Sequence, residues 1–282
     1  MLVAAAVLPA ACGTPRPPAR FVATIPPLGF ILREIVRDTG AVAVLLPPGA
    51  SPHTYEPRPS DAAAAQGSAA LVFDDSLLDG WAARLAPRRR IEMFALVPAA
   101  NRLRLPSMRE NVAGAPDPHF WTDPTVVGAI IPALTDSLCA IDAPACTRYR
   151  ANAAQFTDSL RALDTELAAV LGPLRGRAVV LFHPSFQYLL ARYGIRVAAV
   201  VEPAPGKEPT PRDIEALAAA AARAGATTIF TEPQLPRRPA EVIAEVARLH
   251  LAELDPLGGT PGRDSYAALL RYNAAVLREN VR

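Results

Sequence analysis

Three of this chain's four histidines stand in loops at the ends of hydrophobic runs rather than on apolar faces. His53 follows the apolar run "AVAVLL" through "PPGASPH". His119 lies in "DPHFWTDP", just ahead of a helix start, and His183 closes "RAVVLFH". A fourth group has the same placement, because "LAELDPLGG" reads as a strand running out into Asp255. Neutral imidazoles with one carboxylate suit a borderline divalent metal, and four such ligands suit tetrahedral Zn²⁺. Mn²⁺ prefers more oxygen ligands and fits three histidines less well. The separations, 119 − 53 = 66 and 183 − 119 = 64 residues, mean that the groups meet only if the fold brings them together. Three histidines would also suit a hydrolytic zinc with one open position for water. Asp255 would close that position, and the chain has neither an H-E-x-x-H nor a G-x-S-x-G motif.

Other polar residues read less sharply. Glu232 ends the run "TTIFTE" and would either orient an imidazole from the cleft wall or stand as a solvated acid. Asp117 and Glu56 are further candidates for that supporting role, whereas Asp123 is sufficiently explained as a helix cap. His250, in "ARLHLAEL", belongs at a helix end away from the site. Trp81 and Trp121 read as packing residues near a lobe boundary, and "RRR" at 88–90 as a solvated loop.

The elements that would position these residues alternate between short strands and helices. "RFVATI", "AVAVLL" and "LVFDD" read as strands. "PPLGFILREIVRDTG" reads as a helix closed by Gly40, and "PSDAAAAQGSAA" as a helix capped by Ser60 or Asp61. Asp123 and Pro124 open another, over "TDPTVVGAIIPALTDSL". From residue 145 some 25 residues run without a breaker to Gly172-Pro173, a helix of about 37 Å at 1.5 Å per residue. The alternation then resumes: "RAVVLF", "IRVAAVV", "ATTIFTE" and "LAELDP" read as strands, with helices between them and a closing helix over "SYAALLRYNAAVLREN". This layout predicts two α/β lobes with mostly parallel sheets, at 20–144 and 173–282, joined by one rigid helix over 145–172. Loops at the carboxyl ends of such strands are where ligands bind.

Residues 1–19 read differently. Leu2 to Ala11 is too short and too early to cross a bilayer and resembles the core of a secretory signal. "LPAAC" resembles a lipobox that would make Cys12 a lipid anchor, with "TPRPPAR" as an extended tether. In an exported protein the remaining pair, Cys139 and Cys146, would staple a helix corner broken by Pro144. The net charge of +2 offers no basic field for nucleic acid, while 51% apolar and 20% charged residues describe a folded globular chain.

Six stretches, in this order, carry a resemblance over nearly the whole chain: "PPGASPHTYEPRPSD", "DPHFWTDP", "RYRANAAQF", "LFHPSFQYLLARYGI", "TEPQLPRRPAEVIAEVA" and "LDPLGG". Together they resemble the solute-binding proteins of bacterial ABC importers for zinc and manganese. The resemblance implies two Rossmann-like lobes bridged by a long helix, with the metal cleft between them. It carries the ligand roles onto His53, His119, His183 and Asp255. Manganese members tend to carry Glu at the third position, so His183 points to zinc. The implied role is capture of Zn²⁺ in the periplasm or at the outer face of the cytoplasmic membrane. A monomer would deliver the ion to an ABC permease and its ATPase subunit, with modest lobe movement. The same fold also serves metal-dependent surface adhesins. Ser51 stands where the family often has an acid. The absence of histidine from 54–118 means that no His-rich collecting loop is present.

Overall fold

The computed structural model describes residues 19–38, 40–105, 114–202 and 209–281. Cys12 and all but the last two residues of the expected tether lie outside them. Two four-stranded parallel sheets form the two lobes. The first contains β1 (Phe21–Ala23), β2 (Val42–Val44), β3 (Ala70–Phe73) and β4 (Arg90–Glu92) in the order β2-β1-β3-β4. The second contains β5 (Ala178–Leu181), β6 (Arg196–Val200), β7 (Thr228–Thr231) and β8 (His250–Glu253) in the order β6-β5-β7-β8. Both sheets therefore reverse direction of strand addition beside their first strand, and the crevice at such a reversal opens at the carboxyl ends. β5 leads to His183 and its neighbour β7 to Glu232, so both residues leave the second sheet at its reversal point.

Strand alternation explains how the sheets are covered. Phe21, Ala23, Ala70 and Val72 face one way into the main core, while Val22 and Leu71 face the other with Trp81 and Leu85. In the second lobe Val179 and Leu181 join the main core. Val180 packs instead with Leu217 of α6 (Pro211–Ala224) and Ile243 of α7 (Arg237–Ala247). The inner strands β1, β3, β5 and β7 are buried on both faces, as the interior of a parallel sheet requires.

The main core passes through both lobes without a break. α4 (Cys146–Leu171) is a continuous 26-residue helix, about 39 Å long at 1.5 Å per residue. It buries Tyr149, Phe156, Leu160, Leu163, Leu167 and Leu171 at helical spacing. That stripe packs against α3 (Pro124–Ile141) and α1 (Pro26–Val36) of the first lobe and α8 (Tyr266–Asn280) of the second. Arg271 of α8 forms a two-pronged contact to Glu166 of α4 at the surface. Opening the lobes widely would tear apolar side chains from this shared helix.

Several local expectations are corrected. α1 ends at Arg37, which takes the left-handed conformation (φ 48°) and donates its N–H to Arg33, so Gly40 is not the closing residue. α2 (Pro59–Gly67) starts after Arg58. Asp61 lies three residues inside and accepts the Arg58 N–H, doing from within the helix what a cap does from outside. Arg90 of the "RRR" run opens β4, an edge strand whose exposed charges discourage further pairing. Asp123 caps α3 as expected, accepting the Thr125 N–H at 2.7 Å with Pro124 in the first turn.

Cys139 of α3 and Cys146, the first residue of α4, are joined by a disulfide. The bond closes a short loop, so the chain-entropy gain lies near the low end, about 2 kcal/mol. The double substitution Cys139→Ser, Cys146→Ser should lower unfolding free energy by about that amount in denaturant melts. It should leave the cavity lined by His53, His119 and His183 unchanged, because neither cysteine borders it.

Candidate metal site

The three histidines converge between the lobes. Their rings stand 5.0 Å (His53–His183), 5.2 Å (His119–His183) and 5.8 Å (His53–His119) apart between centroids. One nitrogen from each lies within 4.8 Å of the other two. The enclosed space measures about 10 Å³, room for one water-sized sphere.

Each ring is held from behind through Nδ1. His53 leaves the loop after β2, where Trp81 donates its Nε1–H to the Pro52 carbonyl at 2.9 Å and fixes the neighbouring backbone. Its Nδ1 lies 3.4 Å from the Leu77 carbonyl. The loop carrying Leu77 is pinned in turn by the buried Asp79 carboxylate, which accepts from Thr24 Oγ1 and from the Asp74 and Asp75 amides. Burial pushes that carboxyl up to about 7. His119 has Nδ1 2.7 Å from Asp117 Oδ1, which also accepts the His119 N–H. The other Asp117 oxygen accepts from Gln187 of α5 (Gln187–Tyr193), so this support spans both lobes. His183 has Nδ1 3.2 Å from the Glu202 carbonyl. An acceptor at every Nδ1 selects the tautomer protonated there and leaves every Nε2 lone pair available. His183 Nε2 is buried and has no hydrogen-bond partner.

The environment also keeps two of the rings, His53 and His183, neutral. Burial, reinforced by the neighbouring His119, pushes His53 down to about 3. Burial, with His119 and His53 adding to it, holds His183 well below the ordinary histidine range. Neutral imidazole is the form that binds metal.

Asp255 does not join this group. Its Oδ1 accepts from the Leu257 and Gly258 amides and from Gln234 Nε2, each at 3.0 Å. Its Oδ2 pairs with Arg263 at 2.9 Å. The carboxylate is thus spent on the turn after β8, and the expectation that it closes the metal's coordination is not met in this geometry. Gly258 shows how tight that turn is: it sits at φ +67°, and a Cβ there would stand 2.4 Å from the Arg263 carbonyl. Glu232 lines the cavity beside the histidines, buried, with Oε1 accepting from Ser185 Oγ at 2.6 Å. Burial pushes its carboxyl up to about 8. Glu56 lies at the surface with Arg84, and His250 is an exposed β8 residue bonded to Asn280, both away from the site.

Gln187, Ser185, Gln234 and the Trp81–Pro52 contact carry no signal in residue type or spacing. They matter only because the folded chain places them against a histidine or the cavity wall.

A two-lobed α/β protein with a histidine-lined cleft and a bridging helix is a binding protein of the metal-capturing class. The profile of the family described as "Zinc-uptake complex component A periplasmic" (ZnuA) matches residues 21–280, and the chain belongs to that family. A high-affinity zinc uptake system protein ZnuA from Paracoccus denitrificans is 31% identical, over 94% of this chain and 94% of that one. The crystal structure of a ZnuA superposes with a TM-score of 0.79 at 28% identity, covering 93% of this chain and 98% of the other. A zinc-binding protein AdcA from Streptococcus pyogenes is 24% identical over 92% of this chain, which spans about half (55%) of its length.

Proposed function

We propose that this protein captures Zn²⁺ outside the cytoplasmic membrane and delivers it to an ABC permease driven by its ATPase subunit. The observation that carries this reading is the set of three convergent imidazoles, each braced through Nδ1, with the His183 Nε2 buried and unpartnered. An orphaned buried acceptor costs about 1–3 kcal/mol unless a partner arrives, and a divalent ion between the three Nε2 atoms would satisfy all of them. An all-nitrogen trio suits Zn²⁺ over Mn²⁺. The cavity among the three rings is about the size of one ion or one water. A cavity of that size fits capture of a single ion. We further assign Cys12 as a lipid anchor and the chain as a monomer.

The direct test is a thermal melt of metal-free protein with added Zn²⁺. At a free concentration a hundredfold above Kd the folded state should gain about 2.7 kcal/mol. No shift would overturn the reading.

The buried histidines make an acid-sensitive contribution to the stability of the metal-free protein. His53 titrates near 6.5 when unfolded and about 3 when folded, and His183 is displaced in the same direction. The unfolded chain therefore binds more protons across this window. The stability these rings contribute is fully present above about 6.5 and is lost as pH falls toward 3. Asp79 and Glu232, raised to about 7 and about 8, act in the opposite direction over this range, so the histidine share is read as a difference. Between pH 7 and pH 5 without metal, the urea midpoint of the wild type should fall relative to that of His53→Ala.

A further inference from the structure

We propose that Glu232, rather than Asp255, supplies the fourth ligand to the ion held by His53, His119 and His183. This deepens the zinc-capture reading and rests on it. Three neutral imidazoles leave tetrahedral zinc one ligand short. They also leave its double charge uncompensated in a buried site, where unpaired charge is costly. An anionic donor is what the site lacks.

Among the described residues lining the cavity, Glu232 is the one carboxylate. It follows β7 directly, beside the strand that carries His183, and Ser185 reaches it from two residues beyond that histidine. Neither acid stands within the tight trio of nitrogens, so whichever coordinates must turn inward. The two movements cost very different amounts. Turning Asp255 strands the Leu257 and Gly258 amides, the Gln234 amide and the Arg263 guanidinium together. Each abandoned buried donor costs about 1–3 kcal/mol. Glu232 accepts a single hydrogen bond, from Ser185 to Oε1, and its Oε2 takes part in none among the described residues. Oε2 is free to bind the ion while the Ser185 hydroxyl stays on Oε1, orienting the carboxylate as a supporting donor orients a ligand.

Asp255 then becomes a positioning residue for the wall. Through Gln234 and the amides of the Leu257–Gly258 turn it fixes the surface against which the ion is closed in. Gln234 Oε1, buried and without a partner, lines the same wall.

The test is competitive titration of Zn²⁺ against a chromogenic chelator, paired with the visible spectrum of the Co²⁺-loaded protein. Glu232→Gln keeps the shape of the side chain and removes a buried acid, so the fold is retained. It should lower Zn²⁺ affinity by more than the roughly 10- to 100-fold that loss of a supporting group costs and alter the Co²⁺ d–d bands, because water replaces a carboxylate. Asp255→Asn should leave the bands in place. Unchanged affinity and bands in Glu232→Gln would overturn the assignment, as would an altered spectrum in Asp255→Asn with Glu232→Gln silent. Wild-type protein that takes up no Zn²⁺ at all would overturn the capture reading with it, so the two failures are told apart by the wild-type titration.

Discussion

Replacing His183 with alanine should abolish the zinc-dependent rise in melting temperature while leaving the metal-free protein close to its original stability. The metal loses one of three nitrogen donors, the one at the reversal point of the second sheet. Loss of a supporting group alone costs about 10- to 100-fold in metal affinity, and loss of a ligand should exceed that. The metal-free effect is a balance. Truncation removes packing around a buried ring, which destabilises. It also removes a buried Nε2 with no partner and a ring that the fold forces to stay neutral, and relieving such a group returns about 1–3 kcal/mol. Chelator titration and melts with and without Zn²⁺ read the two halves separately. His250→Ala is the matched control, since that ring is exposed and bonded only to Asn280. A zinc shift that survived in His183→Ala and vanished in His250→Ala would place the ion elsewhere.

The parts of this molecule that were legible in the sequence are those set by local pattern. β1, β3, β5 and β7 are short apolar runs because each is covered on both faces, and no neighbour far along the chain is needed to see that. The start of α3 was readable from Asp123 and Pro124, whose chemistry acts within one turn. The histidines stood out because a polar ring at the end of an apolar run has no packing reason to be there. Readings failed where a distant or conformational partner decides the outcome. Nothing in "VRDTG" shows that Arg37 adopts a left-handed backbone and closes α1 before Gly40. β4 is a strand because β3 offers it an edge, while its own residues are mostly charged. Asp255 is where local pattern and folded geometry part. Its placement after β8 matches the pattern of a ligand, but Arg263 folds back through a turn that only Gly258 permits and takes the carboxylate.

Replacing Trp121 with alanine should be the most destabilising single change in the chain outside the central helix, at about 3–5 kcal/mol for a fully buried large aromatic. The indole is completely enclosed and joins the lobes by hydrogen bonds as well as by packing. Its Nε1–H donates to the Pro256 carbonyl at 2.8 Å, while the Trp121 main-chain carbonyl, which the substitution leaves in place, accepts from the Tyr266 hydroxyl of α8 at 2.8 Å. The ring also backs His119, with centroids 5.4 Å apart, so the cavity left by truncation opens directly behind one of the three converging imidazoles. Zinc affinity should fall together with stability, unlike the separation expected for His183. Trp121→Phe divides the contributions: it keeps most of the packing but leaves the Pro256 carbonyl without its donor, a loss of about 1–3 kcal/mol. Calorimetry of both variants should still show one transition, because the core through α4 belongs to both lobes and neither can unfold without exposing the other. Two separated transitions in Trp121→Ala would mean that the indole, and not α4, is what couples them.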